Sequence, residues 1–322
     1  MQLYLLVNEK CNLKCGFCIR GKGIQEQLDI KKFKDVLEIN DFSKYTIMIS
    51  GGEPSLFDEL PQLIDICYGK FKKICINTNG VNSAWLDRLN IMDIHVQISI
   101  DGSSAYHEKM RGVPGIYSKI QEIISKLNLL NISYNISTTI GKNNVDNVGE
   151  LVREIKKYEN IKYWKISPLL PFGCAKEEDS ISIDEWNNIV DYVLDNAEVV
   201  VKIKKLFEFS ILDKFIENGR IKDIAIVSNC GDVKSKLYVY PDLTVYPCTC
   251  LTDFALGNLT ENSLMEILNS ELAKKFINYK VNDDSSCASC KYLKYCNGGC
   301  IGMSYNHFGE LGRGDYRCPM VK

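Results

Sequence analysis

The stretch Cys11-Asn-Leu-Lys-Cys15-Gly-Phe-Cys18 constrains this chain more than any other: three thiols fall within eight residues, close to the start. Thiolates are soft ligands, and so dense a run in an intracellular chain holds an iron–sulfur cluster or zinc. A site closed by protein alone wants a fourth ligand nearby. None follows; the next cysteine is Cys67, in a helical pattern. Three ligands suit a cluster with one iron left open to another molecule.

Composition narrows the setting. The 322 residues are enough for one large domain and a smaller one, and the 45% hydrophobic and 25% charged content is ordinary for a globular chain. A formal net charge of −2 makes no electrostatic case for nucleic acid or an anionic membrane. No run of about 18 apolar residues is present to span a bilayer. The apolar start at residues 3–7 lacks the basic segment of a signal peptide. Fourteen cysteines in a small secreted protein would mean disulfides. Here they fall into CxxxCxxC and CxxC groups in a long chain, so metal is the better reading and a reducing cytoplasm the expected location.

Strand and helix patterns alternate through the first half. Strands are expected at 3–7, 45–50, 73–77, 94–100, 133–140 and 163–170, and helices at 30–39, 60–69, 83–89, 116–130 and 145–158. Such alternation argues for a parallel sheet with right-handed crossovers. Six units are too few for a closed eight-unit barrel. In parallel sheets ligands sit beyond the carboxyl ends of the strands, and the motifs here follow strands. A helix around 183–194, a β-branched run at 199–203, a hairpin near Pro241-Asp242 and a helix over about 263–276 complete the pattern.

The cysteine run, with Phe17 before its third thiol, resembles the CxxxCxxC motif of the radical S-adenosylmethionine (SAM) enzymes. The resemblance implies a [4Fe–4S] cluster on Cys11, Cys15 and Cys18, whose open iron chelates the amino and carboxylate groups of SAM. It also implies an α/β fold, a partial (β/α)6 barrel. Gly51-Gly52-Glu53-Pro54 resembles the family's SAM-binding GGEP motif; two glycines allow close approach, and a carboxylate suits an ammonium. By the same resemblance Asn79, Ser99 and Arg111 are polar SAM contacts, Arg111 for the carboxylate, and His107 is structural. Asp101-Gly102 reads equally well as a plain turn, and Arg111 as a surface charge.

The second strong signal is Cys287-x2-Cys290-x5-Cys296-x3-Cys300, then Cys318, with Cys230 and Cys248 upstream. Together these resemble a SPASM domain, a small cysteine-rich extension carrying two auxiliary [4Fe–4S] clusters. Family ligation implies Cys230, Cys248 and Cys300 for one, and Cys287, Cys290, Cys296 and Cys318 for the other, giving three clusters in all. Leu243 stands where the family pattern has glycine. A zinc ribbon is the competing reading of a CxxC pair. Expected domains are 1–176 for the barrel, 177–228 for a bridge and 229–322 for the SPASM domain. Cys67 and Cys75 read as core thiols. Cys174, after the sixth strand, and Cys250, two residues beyond a cluster ligand, are candidate catalytic residues. Cys250 is also a candidate fourth ligand, since Cys248 and Cys250 point the same way in an extended chain.

Three function classes compete. The first is modification of a ribosomal peptide by a thioether or C–C crosslink or by epimerisation. The second is formylglycine-generating sulfatase maturation, in which a proton-accepting aspartate directly follows the ligand matching Cys248. Thr249 stands there in this chain, and Asp253 is off register. The third is small-molecule dehydrogenation. Expected partners are a peptide or protein substrate and an external one-electron reductant, a flavodoxin or ferredoxin. The first strand begins at the start of the chain, so a leader peptide would be bound by the barrel or by a separate leader-binding protein.

Overall fold

The computed structural model describes residues 1–20, 26–204, 213, 217 and 231–321. Most of the bridge expected at 177–228 beyond residue 204, and Cys230 itself, lie outside the described residues. Ten strands form one sheet in the order β10-β9-β8-β1-β2-β3-β4-β5-β6-β7. The strands are β1 (Gln2–Leu6), β2 (Thr46–Ser50), β3 (Lys73–Thr78), β4 (His95–Ser99), β5 (Ser133–Ile140), β6 (Ile161–Pro168), β7 (Val201–Ile203), β8 (Lys236–Val239), β9 (Thr244–Tyr246) and β10 (Gly257–Asn258). Neighbours from β8 through β7 run parallel, while β9 and β10 extend the edge as antiparallel strands. The expected α/β architecture is present, with β7 and the β8–β10 segment added to its six units.

Each parallel strand sorts its residues by alternation. Leu3, Leu5, Ile47, Ile49, Ile76, Val96, Ile98, Ile136, Trp164 and Ile166 are fully buried in the core. The opposite face is more polar: Tyr4 stacks on Tyr238 at 4.7 Å, and Gln97 accepts from Asn135 and Lys165, each at 3.4 Å. Helices α1 (Ile30–Ile39), α2 (Leu60–Cys67), α3 (Ser104–Arg111), α4 (Ile116–Leu129), α5 (Val148–Ile155) and α6 (Ile183–Asn196) alternate with the strands. Helix α4 shows why they dock: Ile116, Ile120, Ile123, Ile124 and Leu127 recur at helical spacing and are all buried. Each such side chain contributes about 1.5–3 kcal/mol by burial. Caps define the ends: Asp29 accepts from the backbone N–H groups of Lys31 and Lys32, and Ser182 and Glu185 form a capping box on α6.

Two local expectations change. Residues 83–89 form only a short 3-10 stretch, Ala84–Arg88. The single helix expected over 263–276 is two, α7 (Leu264–Asn269) and α8 (Glu271–Ile277). Ser270 interrupts them: its extended backbone ends α7, and its hydroxyl accepts from Ala273 N–H at 3.1 Å to start α8. Leu243 adopts φ 68°, the left-handed conformation usually left to glycine, in the turn between β8 and β9. Cys67, in α2, and Cys75, in β3, are buried as expected.

Candidate active site

The cysteine loop leaves the end of β1 and is held at three points. Gly52 N–H donates to Asn8 C=O at 2.8 Å and Glu53 N–H to Lys10 C=O at 2.7 Å. A side chain at Gly52 would put its Cβ 2.3 Å from the Lys10 carbonyl oxygen, so only glycine lets the two loops touch. At the far end Cys174 N–H donates to Cys18 C=O at 2.9 Å. Gly173, at φ 72°, would clash with that same carbonyl if it bore a Cβ. Gly112, which ends α3 in the left-handed region, packs over Lys14. The three thiols are thus carried on a loop whose shape is set by the segments following β2, β6 and α3.

Cys11, Cys15 and Cys18 line a cavity of about 340 Å³, and so do Phe17, Gly51, Gly52, Glu53, Asn79, Ser99 and Arg111. Of the expected SAM positions only Pro54 is set back, buried at the first position of a short turn, Pro54–Leu56. Glu53 is 1% exposed, and its carboxylate accepts from Thr78 Oγ1 at 2.6 Å, Asn79 N–H at 2.7 Å and Ser55 N–H at 3.0 Å. Burial pushes this carboxyl up, while the donors from Asn79, Thr78 and Ser55 pull it back. Arg111 pairs with Asp101 at 2.6 Å, lies over the Phe17 ring at 5.1 Å, and points Nη1 toward Cys15 Sγ at 3.9 Å. Asn79 Nδ2 donates to Asn12 Oδ1 at 2.8 Å. His107 is fully buried, and its Nδ1 accepts from Asp101 N–H at 3.1 Å, consistent with a structural part.

The donor set fits the groups that the motifs imply. Three thiols with an adjacent cationic Arg111 suit a cluster of negative charge. Burial raises the Cys11 and Cys15 thiols, and the Arg111 guanidinium opposes the rise. Asn77 Oδ1 lines the cavity buried and without a hydrogen-bond partner among the described residues, an acceptor that suits an ammonium or hydroxyl. Motif reading missed Asp101, which fixes Arg111 from behind, and the cavity residues Ser50, Asn77, Thr139 and Ser167. Their signal was present: Ser50, Asn77, Ser99, Thr139 and Ser167 are polar residues near the carboxyl ends of successive strands, and all line the cavity.

The C-terminal cysteines form two groups. Cys287 is pushed up to about 11 by burial first and then by the neighbouring thiols Cys296, Cys318 and Cys290, so these four share one neighbourhood. Cys248, Cys250 and Cys300 line a second cavity of about 70 Å³. The Asn297-Gly298-Gly299 turn ends α9 (Leu293–Cys296) and turns the chain to Cys300 through three successive left-handed residues, φ 46°, 82° and 78°. Helix α10 (Ile301–Phe308) follows. The buried Asp315 ties the groups together: one carboxylate oxygen accepts from Cys300 N–H at 3.1 Å and from Arg317 at 2.7 Å, and its carbonyl accepts from Cys318 N–H at 2.9 Å. Among the described residues no three or more His, Cys, Asp or Glu are drawn together as a single-ion site. Ile19, Ser167, Pro168, Leu170 and Lys204 line both cavities, which therefore share a wall. Cys174 is exposed, and its backbone rather than its thiol is what the structure ties to the cysteine loop.

Comparison with known proteins agrees with this layout. The model of the radical SAM superfamily matches residues 5–155, and that of the SPASM iron–sulfur cluster-binding domain matches residues 230–291. A cysteine-type anaerobic sulfatase-maturating enzyme of Clostridium novyi is 25% identical over 332 residues, covering 91% of this chain and 85% of its own length. The sporulation killing factor maturation protein SkfB of Bacillus subtilis is 26% identical over 272 residues, covering 82% of this chain and 63% of its own. Among solved structures, Streptococcus suis SuiB bound to the precursor peptide SuiA superposes with a TM-score of 0.80 at 18% identity, over 100% of this chain and 75% of SuiB. No helix among the described residues is long and apolar enough to cross a membrane.

Proposed function

Since the chain is a radical SAM enzyme with a SPASM domain, we propose that it modifies a ribosomal peptide by hydrogen abstraction, forming a thioether or C–C crosslink or epimerising a residue. The observation that carries this is a pair of adjoining cavities that share one wall, the first lined by Cys11, Cys15 and Cys18 and the second by Cys248, Cys250 and Cys300. A peptide segment lying there would meet both ends. The names of SkfB, a maturation protein, and of the SuiB complex, a protein bound to a precursor peptide, support the same reading.

In this reading Cys11, Cys15 and Cys18 hold the first [4Fe–4S] cluster, and Phe17, Gly51, Gly52, Glu53, Asn79, Ser99 and Arg111 surround SAM, with Pro54 shaping the turn behind them. Cys287, Cys290, Cys296 and Cys318 hold one auxiliary cluster; Cys230, Cys248 and Cys300, with Cys250 as candidate fourth ligand, hold the other. When bound, the cluster and SAM supply a 5′-deoxyadenosyl radical able to take hydrogen from an unactivated C–H bond. The chain's own work is positional. Arg111, fixed by Asp101, presents a guanidinium to a carboxylate. Glu53 keeps the 78–80 turn against the cysteine loop while adding negative charge opposite an ammonium. Strand-end hydroxyls and amides orient the ligand, and the surrounding walls restrict water. The barrel at 1–176, the bridge at 177–228 and the SPASM domain at 229–322 remain our division of the chain. An external flavodoxin or ferredoxin supplies electrons, and a separate protein binds any leader the barrel does not.

Sulfatase maturation is the second reading, because a relative covering 91% of the chain bears that name. It ranks lower on a specific observation: the cavity beside Cys248 is lined by Thr249, and among the described residues no carboxylate lines it. The nearby Asp253 accepts from Tyr305 Oη at 3.2 Å at an exposed position.

The test is anaerobic reconstitution with SAM, reductant and any short peptide found encoded beside the gene. The expected results are about 12 iron atoms per chain, 5′-deoxyadenosine, and a peptide mass changed by the loss of two hydrogens or by none with inverted stereochemistry. The joint Cys11→Ala, Cys15→Ala, Cys18→Ala variant should lose about four of those iron atoms and all SAM cleavage. Bound zinc, or full iron in that variant, rejects the cluster assignment.

A further inference from the structure

Strand β3 sends alternate residues to opposite faces. Ile76 goes to the core and is fully buried, and Asn77 lines the cavity of the first three thiols. The Asn77 carboxamide oxygen is shut off from solvent and has no hydrogen-bond partner among the described residues. The other carboxamide on this wall, Asn79, is fully occupied. Its Oδ1 accepts from Val81 N–H at 3.0 Å, and its Nδ2 donates to Asn12 Oδ1 at 2.8 Å. A buried acceptor without a donor is disfavoured, and native structures hold few of them. One that borders an open cavity is explained by a ligand that brings the donor.

We propose that Asn77 Oδ1 accepts a hydrogen bond from the amino group of SAM and so fixes the amino-acid end of that ligand. The inference rests on the place given above to Glu53 beside SAM, and goes beyond it. Glu53 is the expected partner of the amino group, yet most of its carboxylate is engaged inside the protein. Oε1 accepts from Thr78 Oγ1 and Ser55 N–H, and Oε2 accepts from Asn79 N–H. With two lone pairs on each oxygen, one acceptor position remains, on Oε2. An amino group has two or three N–H donors to place, so a second acceptor is needed close by. Asn77 directly precedes Thr78 and Asn79, the residues that hold the Glu53 carboxylate, and lines the same cavity. SAM's carboxylate is no partner for an amide oxygen, and Arg111 serves it in this reading. A ribose hydroxyl is the other donor that SAM offers, and analogues separate the two.

The experiment is calorimetric titration of the reconstituted enzyme, without peptide. The ligands are SAM, its 2′-deoxy and 3′-deoxy analogues, and the 2-oxo analogue in which a carbonyl replaces the amino group. Asn77→Leu should bind SAM about tenfold more weakly than the parent. Both deoxy ligands should lose the same factor, and the 2-oxo ligand, with no amino proton to give, should lose nothing. If the 2-oxo ligand binds neither protein up to about 10 mM, the deoxy ligands decide. Asn77→Asp keeps an acceptor at this point and should hold SAM within about threefold of the parent. Without ligand, Asn77→Leu should melt no earlier than the parent, because the amide oxygen bonds nothing in the fold; iron content confirms that each variant is loaded. Unchanged SAM affinity in Asn77→Leu means that water serves the amide, and overturns the proposal. A deoxy ligand that binds parent and variant alike assigns the contact to the ribose and also overturns it. So does an equal loss for all ligands in a variant that melts earlier. A parent that binds no SAM fails together with the family reading, whereas normal SAM binding without peptide modification touches only the peptide reading.

Discussion

Arg111 and Asp101 form an ion pair in which Nε and Nη2 of the guanidinium both reach the same carboxylate oxygen, at 2.6 and 2.5 Å, with both side chains largely buried. Asp101 does not line the cavity, yet it decides where Arg111 points, and its other oxygen accepts from Thr139 N–H at 2.8 Å. Breaking one partner of a buried pair costs about 3–5 kcal/mol. Asp101→Asn should therefore lower the melting temperature by several degrees and weaken SAM binding about tenfold, although the residue touches no ligand. Arg111→Lys keeps the charge but loses the fork and should weaken SAM binding while leaving iron content unchanged. Equilibrium titration with SAM and thermal denaturation check both. Unchanged SAM affinity in Asp101→Asn would show that the pair serves the fold alone.

Asp101 also shows what sequence reading reaches and where it stops. The Cys11–Cys18 run and the Gly51-Gly52-Glu53 motif were legible because their chemistry admits few other residues: thiols for metal, and a glycine where Gly52 meets the Lys10 carbonyl. Asp101-Gly102 reads as a turn, and only the tertiary placement of α3 brings Arg111 back to it. The break at Ser270 was hidden for a similar reason, since a serine inside a helical pattern and a serine capping the next helix look alike.

Glu53→Gln tests the double part assigned to that residue. The amide keeps the shape but replaces one acceptor by a donor facing Asn79 N–H or Thr78 Oγ1. A buried donor without an acceptor costs about 1–3 kcal/mol. The variant should melt earlier and bind SAM more weakly, with iron content intact because no thiol is altered. Weaker SAM binding without any loss of stability would mean that the carboxylate acts on the ligand and does not hold the turn.

Two buried histidines predict an acid-sensitive fold. Burial lowers His95 and His107 from 6.5 to about 4. His95 is bonded through Nδ1 to Ser133 and through Nε2 to Asn135, at 2.8 and 2.7 Å. The unfolded chain takes up a proton at each near pH 6.5, and the folded chain only near pH 4. Between these values the unfolded state binds more protons, so stability falls as the pH falls. The loss is up to about 3 kcal/mol per histidine. Urea midpoints should drop more steeply from pH 7 to pH 5 in the parent than in a His95→Gln, His107→Gln double variant. Parallel pH profiles would show that neither histidine is neutral because of the fold.

Cys250 separates the remaining chemical possibilities. Its thiol lines the same cavity as Cys248 and Cys300, and all three are buried. Its backbone is anchored independently of any metal, since Asn306 Nδ2 donates to Cys250 C=O at 2.8 Å. Gly302 packs on it so closely that a Cβ there would lie 2.7 Å from the Cys250 Cβ. The residue is therefore held beside Cys248 and Cys300, which suits a fourth ligand and equally suits a hydrogen donor to a peptide radical. Residues 248–251 form a turn, with Leu251 N–H donating to Cys248 C=O at 3.1 Å, so the alternation of an extended strand does not set where the thiol points. Cys250→Ala should remove one auxiliary cluster signal in Mössbauer or EPR spectra if the thiol is a ligand. If the clusters persist and 5′-deoxyadenosine still forms without modified peptide, the thiol serves as a hydrogen donor or in an acid–base step. Full activity with intact clusters would leave Cys250 without a chemical part and the first auxiliary cluster with an iron open to a substrate thiolate.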